Sequence, residues 1–174
     1  ETSCDVDGDG IDDYIAGTDC DDLSDVTFVG AAQIEGASVC MKDKDDDGYG
    51  DDDSKGSVTP GTDCDDAVTN VNPGVDFDID GVNMCLDCDD SIATTFPGSA
   101  ENDSTTECLT DADGDGYAPV LEGGTDCDDG DRSENPTVTW YADNDEDTFG
   151  SPSSSNVCER ENLNDVLDNT DCDD

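Results

Sequence analysis

Apolar residues are scattered along this chain rather than patterned. Only residues 26–34 and 137–142 have the β-branched and aromatic composition of strands, and no window sustains a helical period. This predicts an irregular chain with little regular secondary structure, a few short β-strands and many loops. Strict periodicity lies instead in the polar residues. Asp recurs at every second position in five short runs: Asp5, Asp7, Asp9; Asp43, Asp45, Asp47; Asp76, Asp78, Asp80; Asp111, Asp113, Asp115; and Asp143, Asp145, Asp147. Gly follows at once in four of them, at Gly10, Gly48, Gly81 and Gly116, and Thr148 stands there in the fifth.

A second element recurs in step with the first. The tetrapeptide Asp-Cys-Asp-Asp occurs five times: Asp19, Cys20, Asp21, Asp22; Asp63, Cys64, Asp65, Asp66; Asp87, Cys88, Asp89, Asp90; Asp126, Cys127, Asp128, Asp129; and Asp171, Cys172, Asp173, Asp174. The chain therefore reads as five units, 1–22, 23–66, 67–90 (compressed), 91–129 and 130–174, each an acidic loop closed by the motif. The ninth residue after the motif Cys is Val29, Pro73, Pro97 or Pro136, and Gly follows in three cases, which suits a type II turn. From motif Cys to the next loop the spacings are 23, 12, 23 and 16 residues. Long and short alternate, as in a two-unit superperiod.

Charge decides what kind of fold this is. Asp and Glu number 50 against five Lys and Arg, for a formal charge of -45, while Leu, Ile, Val and Phe make up 28 of 174 residues, about 16%. Such a chain cannot fold on apolar burial, and disulfides or bound metal must take the place of a core. Ten Cys with no His argue for disulfides over zinc and for an oxidising, extracellular or cell-surface compartment. The charge excludes nucleic acid as a partner, and no apolar run is long enough for membrane insertion. We read the chain as a segment of an exported protein. Without His there is no Ser/His or Cys/His nucleophile, and metal-saturated carboxylates do not serve as an acid–base pair, so no enzyme activity is expected.

Two disulfide registers fit. Pairing each motif Cys with the next Cys gives Cys20–Cys40, Cys64–Cys85, Cys88–Cys108 and Cys127–Cys158, at separations of 20, 21, 20 and 31, and leaves Cys4 and Cys172 to join successive copies of the chain. Pairing within units uses all ten Cys but requires Cys85 to bond Cys88.

Asp at positions 1, 3 and 5 with Gly at 6 is the front half of a calcium loop. Position 7 would add a backbone carbonyl, from Ile11, Tyr49, Val82, Tyr117 or Phe149, and only Glu122 and Asp87 meet the acidic twelfth position of an EF-hand. The motif carboxylates are the natural source of the missing ligands. Several Ca2+ ions, about one or two per unit, are expected, since calcium takes six to eight oxygens in flexible geometry.

The run Asp-x-Asp-Gly-Asp-Gly-x-x-Asp from Asp5 to Asp13, with similar runs from Asp43 to Asp51 and from Asp111, resembles thrombospondin type 3 repeats. The combination of Gly-Thr-Asp-Cys-Asp-Asp with Asn-Pro-Gly at Asn72 to Gly74 is closer to MopE-type metal-binding repeats. The resemblance spans nearly the whole chain. It implies an exported bacterial or archaeal surface protein and adds copper as an alternative metal. The expected architecture is an elongated tandem-repeat array held by calcium and disulfides. The expected function is a rigid spacer, surface-layer or fibre element, with metal sequestration and calcium-dependent adhesion as alternatives, and further copies of the chain as partners.

Overall fold

The computed structural model describes residues 6–8, 10 and 19–172. Its regular structure amounts to three two-stranded antiparallel hairpins: β1 (Thr27–Val29) with β2 (Cys40–Lys42), β3 (Thr95–Pro97) with β4 (Cys108–Thr110), and β5 (Thr139–Tyr141) with β6 (Ser155–Val157). In register, Val29 faces Cys40, Pro97 faces Cys108 and Thr139 faces Val157. One α-helical turn, α1 (Gln33–Gly36), and one 3-10 turn (Val120–Glu122) complete the inventory among the described residues.

Three-residue hairpins are marginal in water by themselves. Disulfides hold them here. Cys20–Cys40 and Cys88–Cys108 tie a motif to the first residue of β2 and β4, Cys127–Cys158 ties one to the residue after β6, and Cys64–Cys85 spans the loop at 76–82. This is the first of the two registers above. Cys172 is exposed and has no disulfide partner among the described residues, and Cys4 lies outside them.

The chain divides into two compact units, Glu1–Leu86 and Asp87–Asp174. The β1–β2 hairpin of the first corresponds position by position to the β3–β4 hairpin of the second. Ala31, Ala32 and Met41 are buried in the first, Ala100, Leu109, Ala118, Trp140 and Cys158 in the second, and these few side chains are the apolar core among the described residues. Leu121 and Leu163 are almost fully exposed. Burying one Leu or Met is worth roughly 1.5–3 kcal/mol, far too little to offset the ordering of a whole unit.

Two expectations are corrected. Residues 26–34 do not form one strand. Gly30 takes a left-handed φ of 92° and ends β1, Ala31 donates to the Phe28 carbonyl across the turn (3.3 Å), and Ile34 falls in α1. Gly98 repeats this at φ 87°, with Ser99 bonded to Phe96 (3.1 Å), as in a type II turn. At Pro73-Gly74 the chain still turns, with Val75 donating to the Asn72 carbonyl (3.2 Å), but Gly74 is not left-handed. There the Asn72 side chain caps the Gly74 N–H at 2.8 Å, and Asn135 caps Thr137 at 3.1 Å, which gives an Asx-turn instead. No helix among the described residues is long and apolar enough to cross a membrane.

Candidate metal centres

The acidic loops share one local design. The first Asp turns its carboxylate back onto the loop. Asp43 accepts the N–H groups of Asp46 (2.8 Å) and Asp47 (3.3 Å) on Oδ1 and of Gly48 (2.9 Å) on Oδ2. Asp111 does the same with Gly114, Asp115 and Gly116, Asp143 with Asp147 and Thr148, and Asp76 with Ile79 and Gly81. The third Asp then caps position 7, as Asp47 accepts Tyr49 N–H, Asp80 Val82, Asp115 Tyr117 and Asp147 Phe149.

Curling this tightly needs two left-handed residues, at positions 4 and 6. They are Asp46 and Gly48, Ile79 and Gly81, Gly114 and Gly116, and Glu146 and Thr148. Gly8 and Gly10 show that the first loop has the same two φ values. Position 6 is the Gly noted in the sequence. Position 4 carries no sequence signature, because four residue types fill it.

Curling brings carboxylates together. In each of the triads Asp43, Asp45, Asp47; Asp111, Asp113, Asp115; and Asp143, Asp145, Asp147, one oxygen per residue lies within 4.8 Å of the others. Both oxygens of Asp45 and Oδ2 of Asp113 are buried without a hydrogen-bond partner.

The motif closes the loops from the other side. Asp63 N–H donates to the Gly50 carbonyl (2.8 Å), Asp126 to Ala118 (2.9 Å) and Asp171 to Gly150 (3.3 Å). The last motif Asp reaches the loop backbone, with Lys44 N–H bonded to Asp66 (2.8 Å) and Ala112 N–H to Asp129 (2.9 Å). Within each motif the first Asp uses Oδ1 to cap the third residue, at Asp19, Asp63, Asp87 and Asp126. Its Oδ2 is left buried and unpartnered in all four. Asp63 is wholly buried, and burial, reinforced by Asp47, Asp45 and Asp66, pushes its carboxyl up to about 6. Burial and then Asp115 and Asp113 raise Asp126 in the same way. Burial followed by neighbouring carboxylates also raises Asp45, Asp113 and Asp129, and burial raises Asp43. Packed carboxylates with orphaned oxygens are what a bound cation resolves.

The other candidate residues lie elsewhere. The middle motif residues Asp21, Asp65 and Asp128 are exposed, and Asp89 caps Ser91. Asp51 is paired with Lys42 (2.6 Å), which holds it below its ordinary range and also bonds Asp66. Glu122 is exposed and accepts Thr110 N–H (2.9 Å) ahead of its loop. Asp22 is exposed, but Asp90 is an exception: it is half-buried with one oxygen within 4.8 Å of those of Asp76 and Asp78, and Asp87 groups in the same way with Asp78 and Asp80. Asp5, Asp9, Ile11, Asp13, Asp173 and Asp174 lie outside the described residues.

Two groups of residues contribute without having been anticipated. Buried Asn72 donates to Asp47 Oδ2 (2.6 Å), and buried Asn135 donates to Asp115 Oδ2 (2.8 Å). Their signal was present, since the slot before the ninth residue after the motif Cys is Asn in these units and Phe28 or Phe96 in the others. The second group is Glu35 and Asp103. Glu35 accepts Gly50 N–H (2.8 Å), Thr62 N–H (3.2 Å) and the Thr62 hydroxyl. Asp103 accepts Ala118 N–H (2.8 Å), Thr125 N–H (3.0 Å) and the Thr125 hydroxyl (2.6 Å). Comparison with protein-family models, with curated proteins and with solved structures finds no match.

Proposed function

We propose that this chain is a calcium-binding structural module of an exported, cell-surface or extracellular protein, built as a tandem array in which ions and disulfides replace a hydrophobic core. The observation that carries the reading is the buried, unpartnered Oδ2 of Asp63 and of Asp126, set among the carboxylates of the loops at 43–47 and 111–115. The donors are oxygen throughout. No His is present, and eight of the ten Cys are consumed in disulfides, so little remains to favour zinc or copper. Magnesium takes fewer carboxylates and keeps its waters. The four disulfides favour an oxidising compartment. Binding free energy is then largely folding free energy. The product is a stiff spacer or surface element that joins further copies of itself or neighbouring modules.

Metal analysis of the purified chain, with scattering and circular dichroism before and after chelation with disulfides intact, tests this. Calcium should be the bound metal. Its removal should expand the chain, because about two charges per lost ion return to a polypeptide already at -45. Unchanged dimensions with the calcium gone would show that the ions are incidental.

A further inference from the structure

Closing a metal loop from a distant motif demands that the motif arrive in register. The six hydrogen bonds on Glu35 and Asp103 all fall on that junction. In each unit one carboxylate grips the residue just past the loop, Gly50 or Ala118, and the Thr immediately ahead of the motif, Thr62 or Thr125. The same residue past the loop takes the N–H of the first motif Asp on its carbonyl, at Asp63 and Asp126. The buried oxygen is thus one residue from the grip.

The third closure within the described residues reaches the same end from other atoms. Asp168 accepts the N–H (2.8 Å) and hydroxyl of Thr170 on its carboxylate, and its backbone carbonyl accepts Gly150 N–H (2.9 Å). Three closures bind the pre-motif Thr through both N–H and O–H, and each ties it to the residue past the loop. The carboxylates responsible come from α1, from the segment between β3 and β4, and from two residues upstream of the Thr. A junction made three ways from unrelated positions marks a constraint on the junction itself. The packing agrees, since a Cβ at Gly61 would collide with the Gly50 carbonyl and the Glu35 carboxylate, and one at Gly124 with the Ala118 carbonyl.

We infer that Glu35 and Asp103 are positioning residues that hold no ion but set the metal affinity of the centres at 43–66 and 111–129 by fixing Thr62-Asp63 and Thr125-Asp126 against their loops. Each carboxylate is occupied by three protein donors. An ordered junction lets Asp63 and Asp126 meet the ion without further loss of chain freedom. The inference rests on the calcium reading.

The test follows the Gly48 and Gly116 amides, one per loop, by NMR as the 174-residue chain is titrated in calcium-buffered solution. Glu35→Ala should raise the calcium needed at Gly48 by about 10–100-fold and leave Gly116 where it was, and Asp103→Ala should do the converse. Glu35→Gln should stay close to the unmodified chain, because the amide oxygen still accepts both N–H groups and the NH2 donates to the Thr62 hydroxyl oxygen. Thr62→Val, which removes one bond and keeps the fold, should give a smaller loss confined to Gly48. Equal midpoints in Glu35→Ala and the unmodified chain would overturn the inference. So would a Glu35→Gln loss as large as that of Glu35→Ala, the mark of a direct ligand, or a Glu35→Ala loss shared by Gly116, the mark of a general structural role. If neither amide of the unmodified chain responds to calcium, the calcium reading fails and the inference goes with it.

Discussion

The loops at 111–117 and 143–149 lie in the same compact unit, Asp87–Asp174, and have nearly the same backbone, yet their surroundings differ. Both carry left-handed residues at positions 4 and 6, and both wrap the first carboxylate around the loop amides. In the first, Asp111 is buried, Asp113 and Asp115 are half-buried, Asn135 holds Asp115, and Asp126 and Asp129 close the site. In the second, Asp171 N–H likewise reaches the Gly150 carbonyl (3.3 Å) and Asp143 is buried, but Asp145 and Asp147 are exposed. The six-residue pattern makes the loop. Distant residues make it a closed centre, so the centre at 111–129 should bind more tightly than the loop at 143–149.

The strongest way to break this contrast is to wedge the junction open. Gly124→Ala places a methyl group against the Ala118 carbonyl and should cost about 3 kcal/mol in calcium, with Gly61→Ala matching it in the first unit. Gly130→Ala, whose Cβ meets only the far end of the Asp128 side chain, should leave the thermal midpoint nearly unchanged. Equal effects at 124 and 130 would remove the junction from the account.

What was legible in the sequence follows the same division. Loops and motifs are local and periodic and three of the four Cys separations are 20 or 21 residues, so the curled loops and one of the two candidate disulfide registers could be anticipated. Strands β4 and β6 could not, because Cys108-Leu109-Thr110 and Ser155-Asn156-Val157 have too few residues to show alternation and are held by a disulfide and a loop rather than by their own propensity. Glu35 and Asp103 were hidden for another reason. They lie in variable segments, differ in residue type, and act on a Thr more than 20 residues downstream in a chain where acidic residues are everywhere. The alternation of long and short spacings was visible. The long spacings hold the hairpins β1–β2 and β3–β4 and the short ones hold the Asn72 and Asn135 turns, which only the hydrogen bonds reveal.

Acid separates the ion-free from the loaded protein. In chelator, Asp63 has a folded-state pKa near 6 against an ordinary 3.8, and Asp126, Asp45 and Asp113 are raised as well. A raised carboxyl binds its proton more tightly in the folded state, so the ion-free fold gains stability as pH falls from about 7 through 6 toward 4. With calcium bound, protons compete with the ion and the sign reverses. Thermal midpoints between pH 7 and 5 should therefore rise by several degrees in chelator and fall in limiting calcium. Parallel slopes would mean that these carboxylates do not share the ion.

Asn135→Ala sharpens the contrast within one unit. It removes the amide from Asp115 Oδ2 at 2.8 Å, a charge-assisted bond worth about 1.5–2 kcal/mol, and leaves the loop at 143–149 intact. Calorimetric titration should show the affinity of the tighter class of sites drop toward that of the weaker one. If the two classes stay as far apart as before, Asn135 serves the turn alone.

The smallest effect concerns position 6 of the last loop. Thr148 has a φ of 79°, where the other four loops have Gly, and a β-branched residue in this region carries about 1–2 kcal/mol of steric cost. Thr148→Gly relieves that cost, less the roughly 0.5–1 kcal/mol by which Gly loosens the unfolded chain, for a net gain of up to about 1 kcal/mol. The reverse change in the other loop is worse. Gly116→Thr adds the φ cost and drives a Cβ into the Asn102 side-chain amide. The pair should move the thermal midpoint in opposite directions, upward by about 2–4 °C at most for Thr148→Gly and downward by more for Gly116→Thr. A lower midpoint for Thr148→Gly would mean that the Thr side chain does something for this loop that its backbone geometry does not reveal.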